Sequence, residues 1–403
     1  EDIASSLSST LGTIILAIQV AAAAVLFTLF SYDGVDEFTS DKYMIFRDIM
    51  VMLLLGFGYL MTFLEKYGLG AVGFTMLLTV LNMECNLIIE GLLTGATKIS
   101  MDSIINAEFS AATLLISFGA LIGRATPLQM CALSTFESLF YALNKVLIVG
   151  NLFQAEDVGG TITIHMFGAY FGLAAAKALG PQNKASASNN AASRVSDVFA
   201  MVGTTLLWVY WPSFVGATET GDSTNEMNCL INTILSLLGS TGMAFYFSQF
   251  LNHGKFDAVH VQNSTLAGGV AIGATARLAM GPGMAMVVGI LAGSISTLGY
   301  FYSSPFLEEK LGIFDTCGVA NLHGYPSVLG GLLSIFFVSF YPADFLLHSA
   351  TAAQMASQLF AVVATLAVSI VTGFLTGKLV LVNPSSFADV DDYEDAVWWE
   401  GDF

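Results

Sequence analysis

The amino-acid sequence predicts an all-α integral membrane protein with about twelve transmembrane helices, arranged as two inverted five-helix repeats plus an extra N-terminal helix. Three observations predict this fold class: a shortage of charge, twelve long apolar runs, and one motif that occurs in both halves. Of the 403 residues, 55% are hydrophobic and only 11% are charged, and the mean hydropathy is +0.72. Soluble domains have about 25% charged residues. The chain therefore lacks the charge to cover a soluble surface, and we expect membrane lipids around it.

The formal net charge is −18, and the acidic residues are unevenly distributed. Seven acidic residues and no Lys or Arg lie in the last eighteen positions, so we expect 382–403 to form an acidic cytoplasmic tail. Nucleic acids attract basic surfaces, so this charge balance argues against a nucleic-acid partner.

Twelve segments are long and apolar enough to cross a bilayer, which requires about 20 residues each. Their approximate bounds are 8–31, 43–64, 69–93, 104–123, 127–150, 160–180, 196–217, 227–251, 258–280, 282–303, 320–341 and 351–381. A polar stretch at 181–190 divides the chain near its middle. We therefore expect one membrane domain over 1–403, with a first repeat at 43–180, a second at 196–341 and a last helix at 351–381.

Twelve spans place both termini on one side of the membrane. Eight of the 13 Lys and Arg residues lie on the side of the termini and five lie opposite. Because cytoplasmic loops carry the excess of Lys and Arg, this bias predicts cytoplasmic termini. We expect a multi-pass protein of the plasma membrane.

One motif, Asp-x-x-Gly-x-x-x-x-His, occurs in each half as Asp157 to His165 and as Asp315 to His323. The two copies begin the sixth and the eleventh spans, an odd separation that requires opposite orientation in the membrane. Inverted repeats bring equivalent residues together near the midplane. Eight residues of helix span about 12 Å, so the aspartates would lie near opposite faces as helix caps and both histidines at hydrocarbon depth.

Ionisable residues at that depth are costly and usually functional. A lone histidine there can equally be a hydrogen-bonded packing residue, but two in equivalent positions favour function. No Gly-x-Ser-x-Gly or HExxH motif occurs, and the four cysteines are not spaced for zinc. We therefore expect no enzyme, no metal site and no cofactor.

Several stretches resemble the Rh glycoproteins, the Rhesus branch of the ammonium transporter superfamily. The resemblance covers most of the chain, from the second span to the acidic tail. The stretches that carry it are His165 to Leu173, Trp211 to Phe214, Gln262 to Gly269, Asp315 to Gly318 and Leu322 to Gly324, with the tail residues Asp391 to Asp395, Trp398, Trp399 and Glu400.

The resemblance implies a homotrimer of twelve-helix subunits, each with its own hydrophobic pore. It implies that His165 and His323 are twin pore histidines and that Phe109 and Phe214 are two stacked phenylalanines above the pore. It also implies that Asp157 and Asp315 are acidic residues near the vestibules. The implied function is conduction of ammonia from ammonium.

Two neutral imidazoles suit ammonia because each offers one donor and one acceptor nitrogen. A bare ammonium ion in a dry pore would be costly, so we expect ammonium to lose its proton at the mouth. Whether that proton travels separately stays open. The same geometry could pass carbon dioxide, and a non-conducting membrane scaffold is a further alternative, although the two histidines argue against it.

One position departs from the pattern of the family. Members of the family often have an acidic residue after the asparagine near the end of the fifth span, whereas here Asn144 is followed by Lys145. A cation at a pore mouth would repel ammonium, so recruitment at that mouth is not implied by the resemblance.

Overall fold

The computed structural model describes residues 2–32, 40–219, 222–341, 346–348, 350–381 and 391–400. Within them the fold is helical, apart from two short paired strands, β1 (Ser31–Tyr32) and β2 (Lys98–Ile99). The helices are α1 (Asp2–Leu29), α2 (Ser40–Phe63), α3 (Gly68–Thr94), α4 (Met101–Leu121), α5 (Pro127–Phe153), α6 (Thr161–Leu179), α7 (Arg194–Glu219), α8 (Ser223–Leu251), α9 (Ala258–Ser264 and Ala267–Ile272), α10 (Pro282–Leu311), α11 (Ala320–Gly324 and Tyr325–Val338) and α12 (Thr351–Val380).

Ten of these helices are long and apolar enough to cross a membrane, counted over the described residues. Apolar side chains on their outer faces are exposed, among them Phe27, Leu375 and Leu379 at 61% or more. Such surfaces suit hydrocarbon, where helices satisfy their own backbone groups. The prediction of an all-α integral membrane protein is confirmed.

Local sequence sets the start of several helices. At α5, the Thr126 hydroxyl accepts the Gln129 N–H, the Gln129 side chain accepts the Thr126 N–H, and Pro127 occupies the first helical position. Proline is favoured there because its missing N–H would have no partner in the helix. A capping box of two serines, Ser193 and Ser196, starts α7 in the same way.

The predicted single span at 258–280 is wrong in its interior and at its end. Helix α9 is interrupted between Ser264 and Ala267, and its helical part ends at Ile272. The neighbouring helix α8 supplies the reason, because Ser240 Oγ donates to the Thr265 carbonyl at 2.7 Å. A carbonyl that has a partner on another helix can leave its own helical ladder.

Helix α1 lies at the edge of the bundle. Its apolar stretch is only 6% buried, and its contact with α3 includes a hydrogen bond from Gln19 Nε2 to Glu84 Oε2 at 2.7 Å. The strand β1 that follows it pairs in parallel with β2. The expected extra N-terminal helix is therefore present as a peripheral element.

Part of the predicted acidic tail packs against the protein; 382–390 and 401–403 lie outside the described residues. The Tyr393 ring is fully buried, and its N–H donates to the Gly123 carbonyl at 2.6 Å. The Asp395 N–H donates to the Lys66 carbonyl, and Asp395 Oδ2 accepts the Gly70 N–H at 2.6 Å. We call this side of the protein, where the tail contacts Lys66, Gly70 and Gly123, the carboxyl-terminal face. The opposite side, where α5 ends and α6 begins, is called the Asp157 face.

Charged and polar groups accompany the buried tail. Burial lowers the pKa of Arg124, and the neighbouring Tyr393 and Asp392 oppose that shift. Burial raises the pKa of Tyr393 to about 12, and its phenol oxygen accepts a hydrogen bond from Gln182 Nε2 at 2.6 Å. Specific hydrogen bonds thus hold this part of the tail against the protein.

Candidate functional site

The first copy of the repeated motif forms the start of α6. Asp157 accepts hydrogen bonds from the backbone N–H groups of Ile162 and Thr163 at 2.9 and 2.7 Å, and from the Thr163 hydroxyl at 2.8 Å. Gly160, the fourth residue of the motif, has a φ of 71°, which glycine adopts without strain. Asp157 therefore caps the helix that carries His165.

The second copy has the same local structure at the start of α11. Asp315 accepts the N–H groups of Val319 and Ala320, both at 2.9 Å, and Gly318 has a φ of 72°. The second copy lies on the carboxyl-terminal face, opposite to Asp157. There the N–H of Cys317 donates to the Gly119 carbonyl, and Arg124 donates to the carbonyl of Phe314, the residue before Asp315. The matched spacing of Asp, Gly and His thus corresponds to a matched capping geometry at the two faces.

Each histidine lies in a short π-helical turn directly after this cap. For His165 the backbone N–H donates to the Gly160 carbonyl, five residues earlier, at 2.9 Å. For His323 the wide turn covers Ala320–Gly324. Single π turns occur frequently at functional sites.

The two imidazoles meet in the interior of the bundle. His165 Nδ1 and His323 Nδ1 are 3.3 Å apart, the ring centroids are 5.2 Å apart, and the residues are 1% and 2% exposed. In an N···N hydrogen bond one ring must donate and the other accept, so the pair shares a single proton between these two atoms. Removal from water and the closeness of the rings both favour uncharged imidazoles.

Aromatic rings continue from the histidines towards the Asp157 face. Phe214 lies 5.9 Å from His165, and Phe109 lies 5.0 Å from Phe214, measured between ring centroids. The two phenyl rings meet edge to face at 74°, where the resemblance implied a stacked pair. Edge-to-face contact brings the positive edge of one ring to the negative face of the other, and both side chains are at most 4% exposed.

Two further aromatic residues belong to this column of rings around the histidines and were not predicted from the sequence. The Trp211 ring stacks on His165 at 5.5 Å, is fully buried, and leaves Nε1 without a partner among the described residues. Phe57 stacks on His323 at 6.2 Å. Trp211 precedes Phe214 by one helical turn, so it shares a helix face with Phe214 and could have been found; no motif marks Phe57.

Two cations on the Asp157 face, Lys145 and Arg277, are in ion pairs. Lys145 Nζ lies 2.9 and 3.2 Å from the two oxygens of Glu90 and 2.7 Å from Asn106 Oδ1. Arg277 pairs with Glu156, the residue before Asp157. The cation that follows Asn144 is therefore paired, because a carboxylate on α3 compensates its charge.

The described residues place two buried imidazoles in contact with each other and with uncharged aromatic rings. His165 Nε2 has no partner among the described residues, so it is available to a small molecule that can donate or accept a hydrogen bond. Within the same part of the chain, no group of three or more His, Cys, Asp or Glu side chains could hold a metal ion. Hydrated ions would lose their water here without compensation.

Known proteins are similar to this chain over most of its length. Residues 9–387 match the sequence profile of the Ammonium Transporter Family. The chain is 43% identical over 366 residues to the mouse protein named ammonium transporter Rh type A, covering 89% of this chain and 81% of that one. It is 38% identical over 383 residues to human ammonium transporter Rh type C, covering 89% and 79%.

Solved structures give the same result. The Rh50 structure of Nitrosomonas europaea, described with the Rhesus protein family of channels, superposes with a TM-score of 0.79 at 34% identity and covers 89% of this chain and 91% of Rh50. A sensor Amt protein superposes with a TM-score of 0.69 at 19% identity, covering 84% and 92%, which indicates a shared fold.

Proposed function

Because the chain belongs to the ammonium transporter family, and to the Rh proteins within it, we propose that it conducts ammonia along the column of rings that contains His165 and His323. Ammonium reaches the Asp157 face and releases its proton to water at the mouth, and neutral ammonia crosses the interior. The observation that carries this proposal is the contact of two buried imidazoles, 3.3 Å apart, among aromatic rings.

The chemistry of the pair supports a neutral cargo. Ammonia can donate to a bare imidazole nitrogen and accept from a protonated one, and the pair offers both. The Trp211 indole N–H adds a donor beside His165 that has no described partner. Asp157 accepts the N–H groups of Ile162 and Thr163, so its carboxylate is occupied by the helix cap and is not free to pair with an ammonium ion.

Phe109 and Phe214 act in this proposal as the constriction that excludes hydrated ions. Their rings are buried and in contact, so a passing molecule has to displace them slightly. A single small molecule needs little displacement, whereas an ion with its water shell needs much more. Asp157 and Asp315 act by fixing the helix starts that hold the histidines.

We also propose the cellular arrangement that the Lys and Arg bias favours, with both termini cytoplasmic in the plasma membrane and the Asp157 face outside. Exposed apolar side chains on the spans would be covered by lipid and by neighbouring subunits of a homotrimer. The chain in this view is a conduit and not an enzyme.

Stopped-flow measurement of internal pH in proteoliposomes tests the proposal. An inward ammonium gradient should make the interior alkaline faster than in protein-free vesicles, because entering ammonia binds a proton. His165→Ala with His323→Ala should remove the increment, whereas His253→Asn, at an exposed site with a φ of 53°, should not. Asparagine tolerates that backbone conformation.

A bicarbonate gradient in the same vesicles separates the alternatives. Faster internal acidification than in protein-free vesicles, lost in the double histidine variant and without any ammonium response, would replace ammonia by carbon dioxide as the cargo. No protein-dependent response to either gradient would indicate a scaffold and contradict conduction.

A further inference from the structure

Glu137 is a buried acidic residue for which the proposed pore has no use. It lies on α5 within the span Pro127–Phe153 and is 1% exposed. Its Oε1 lies 2.6 Å from Ser117 Oγ on α4, and its Oε2 has no hydrogen-bond partner among the described residues. None of the ion pairs among those residues includes Glu137. A carboxylate in such a place would be uncompensated.

The protons at Ser117 decide the state of this carboxyl group. Ser117 Oγ lies 2.6 Å from Glu137 Oε1 and 2.8 Å from the carbonyl oxygen of Gly168 on α6. A carbonyl oxygen only accepts, and a serine hydroxyl has one proton to donate. Two short oxygen–oxygen contacts each need a proton, so the second proton has to be on Glu137. Glu137 then donates to Ser117, and Ser117 donates to Gly168.

This relay of two hydrogen bonds joins α5, α4 and α6 where the backbones of α4 and α6 lie close together. A Cβ placed on Gly168 would lie 2.6 Å from the Thr113 carbonyl oxygen of α4, and one on Gly172 would lie 2.7 Å from the Ser117 Cα. The backbones of α4 and α6 therefore touch beside Ser117. Gly168 follows His165 by less than one helical turn on α6.

We infer that Glu137 is a neutral carboxylic acid that donates to Ser117 and thereby fixes α6 against α4. Helix α4 carries Phe109 and α6 carries His165, so the relay sets the position of the constriction relative to the histidine pair. Glu137 is in this sense a positioning residue for conduction, and its role in transport rests on the proposed function. The protonation state inferred for Glu137 is independent of that function.

Infrared difference spectroscopy of the protein in proteoliposomes tests the protonation state. The spectrum of the native protein minus that of Glu137→Gln should contain the carbonyl band of a protonated carboxylic acid. Ser117→Ala should move this band to higher frequency, because the acid loses the acceptor of its hydrogen bond. A difference spectrum with only the paired bands of an ionised carboxylate would overturn the inference, whatever the transport result.

Ammonia flux tests the positioning role. Glu137→Gln keeps a donor and should keep the flux within about twofold, whereas Glu137→Met has no donor and should lower it about fivefold, the factor that one net hydrogen bond provides. Glu84→Gln is the matched control, since Glu84 is an intramembrane acid that accepts from Gln19. Equal losses in Glu137→Gln and Glu137→Met would refute donation as the reason.

Two readouts keep the test decisive. If Glu137→Met fails to fold, Ser117→Ala removes both contacts with a smaller change in volume and should lower the flux at least about fivefold; unchanged flux in that variant would refute positioning. If the native protein itself shows no ammonia flux, the proposed function fails, while the infrared result still decides the state of Glu137.

Discussion

The ion pair of Lys145 with Glu90 allows one prediction to be worked out in detail. Lys145 Nζ on α5 contacts both oxygens of Glu90 on α3 and Asn106 Oδ1 on α4, and the two charged side chains are 22% and 17% exposed. Lys145→Met removes the charge and keeps an unbranched apolar chain. Glu90 is then left as a mostly buried carboxylate without its cation.

The distances set the magnitude. At 2.9 Å and an effective dielectric constant of about 20, the Coulomb attraction is about 6 kcal/mol, and desolvation of both groups offsets most of it. Breaking a fully buried pair costs about 3–5 kcal/mol, while an exposed pair contributes at most about 1 kcal/mol. With each side chain about one-fifth exposed, we expect Lys145→Met to lower the free energy of unfolding by about 2 kcal/mol.

Unfolding by SDS in mixed micelles, followed by circular dichroism, measures this value. Glu90→Gln should cost about the same as Lys145→Met, and the double variant should cost little more than either one, because the pair is broken only once. Asp102→Asn is the control: this carboxylate pairs with Lys42 but is 48% exposed, so its loss should cost less than about 1 kcal/mol. If the double variant lost the sum of the two single losses in free energy of unfolding, the coupling between Lys145 and Glu90 would be refuted.

Three further predictions concern the constriction, a helix cap and the tail. Phe214→Ala should let potassium leak from proteoliposomes, whereas Phe27→Ala, at a side chain that is 90% exposed, should leave them tight; tight Phe214→Ala vesicles would count against the constriction. Asp157→Ala should lower stability by about 1–2 kcal/mol through the lost cap, and Asp157→Asn, which keeps an acceptor, should lower it less; equal losses would argue against capping. Tyr393→Ala should expose the segment 391–400 to limited proteolysis. Tyr393→Phe keeps the ring, loses the hydrogen bond from Gln182, and should leave the segment protected. Equal cleavage of the native protein and Tyr393→Ala would mean that the ring does not hold the tail.

The sequence predicted the features that depend on local composition and spacing. Apolar runs gave the spans to within a few residues for most helices, because a segment in hydrocarbon has to be apolar over the whole thickness. The repeated Asp-x-x-Gly-x-x-x-x-His motif located the helix starts and both histidines, because a cap, a positive φ and a buried imidazole each need a particular residue type at a fixed offset. His165 and His323 could therefore be paired before any distance was known.

Contacts between distant helices decided the rest. The break in α9 depends on Ser240 of α8, the charge of Lys145 is cancelled by Glu90 from 55 positions earlier in the chain, and Phe57 reaches His323 from α2. None of these partners is marked by a local pattern, since the same residues would be ordinary packing in another bundle. Charge, composition and motif fix what each helix can do on its own, whereas the partner of a carbonyl, a cation or a ring is set only when the helices pack together.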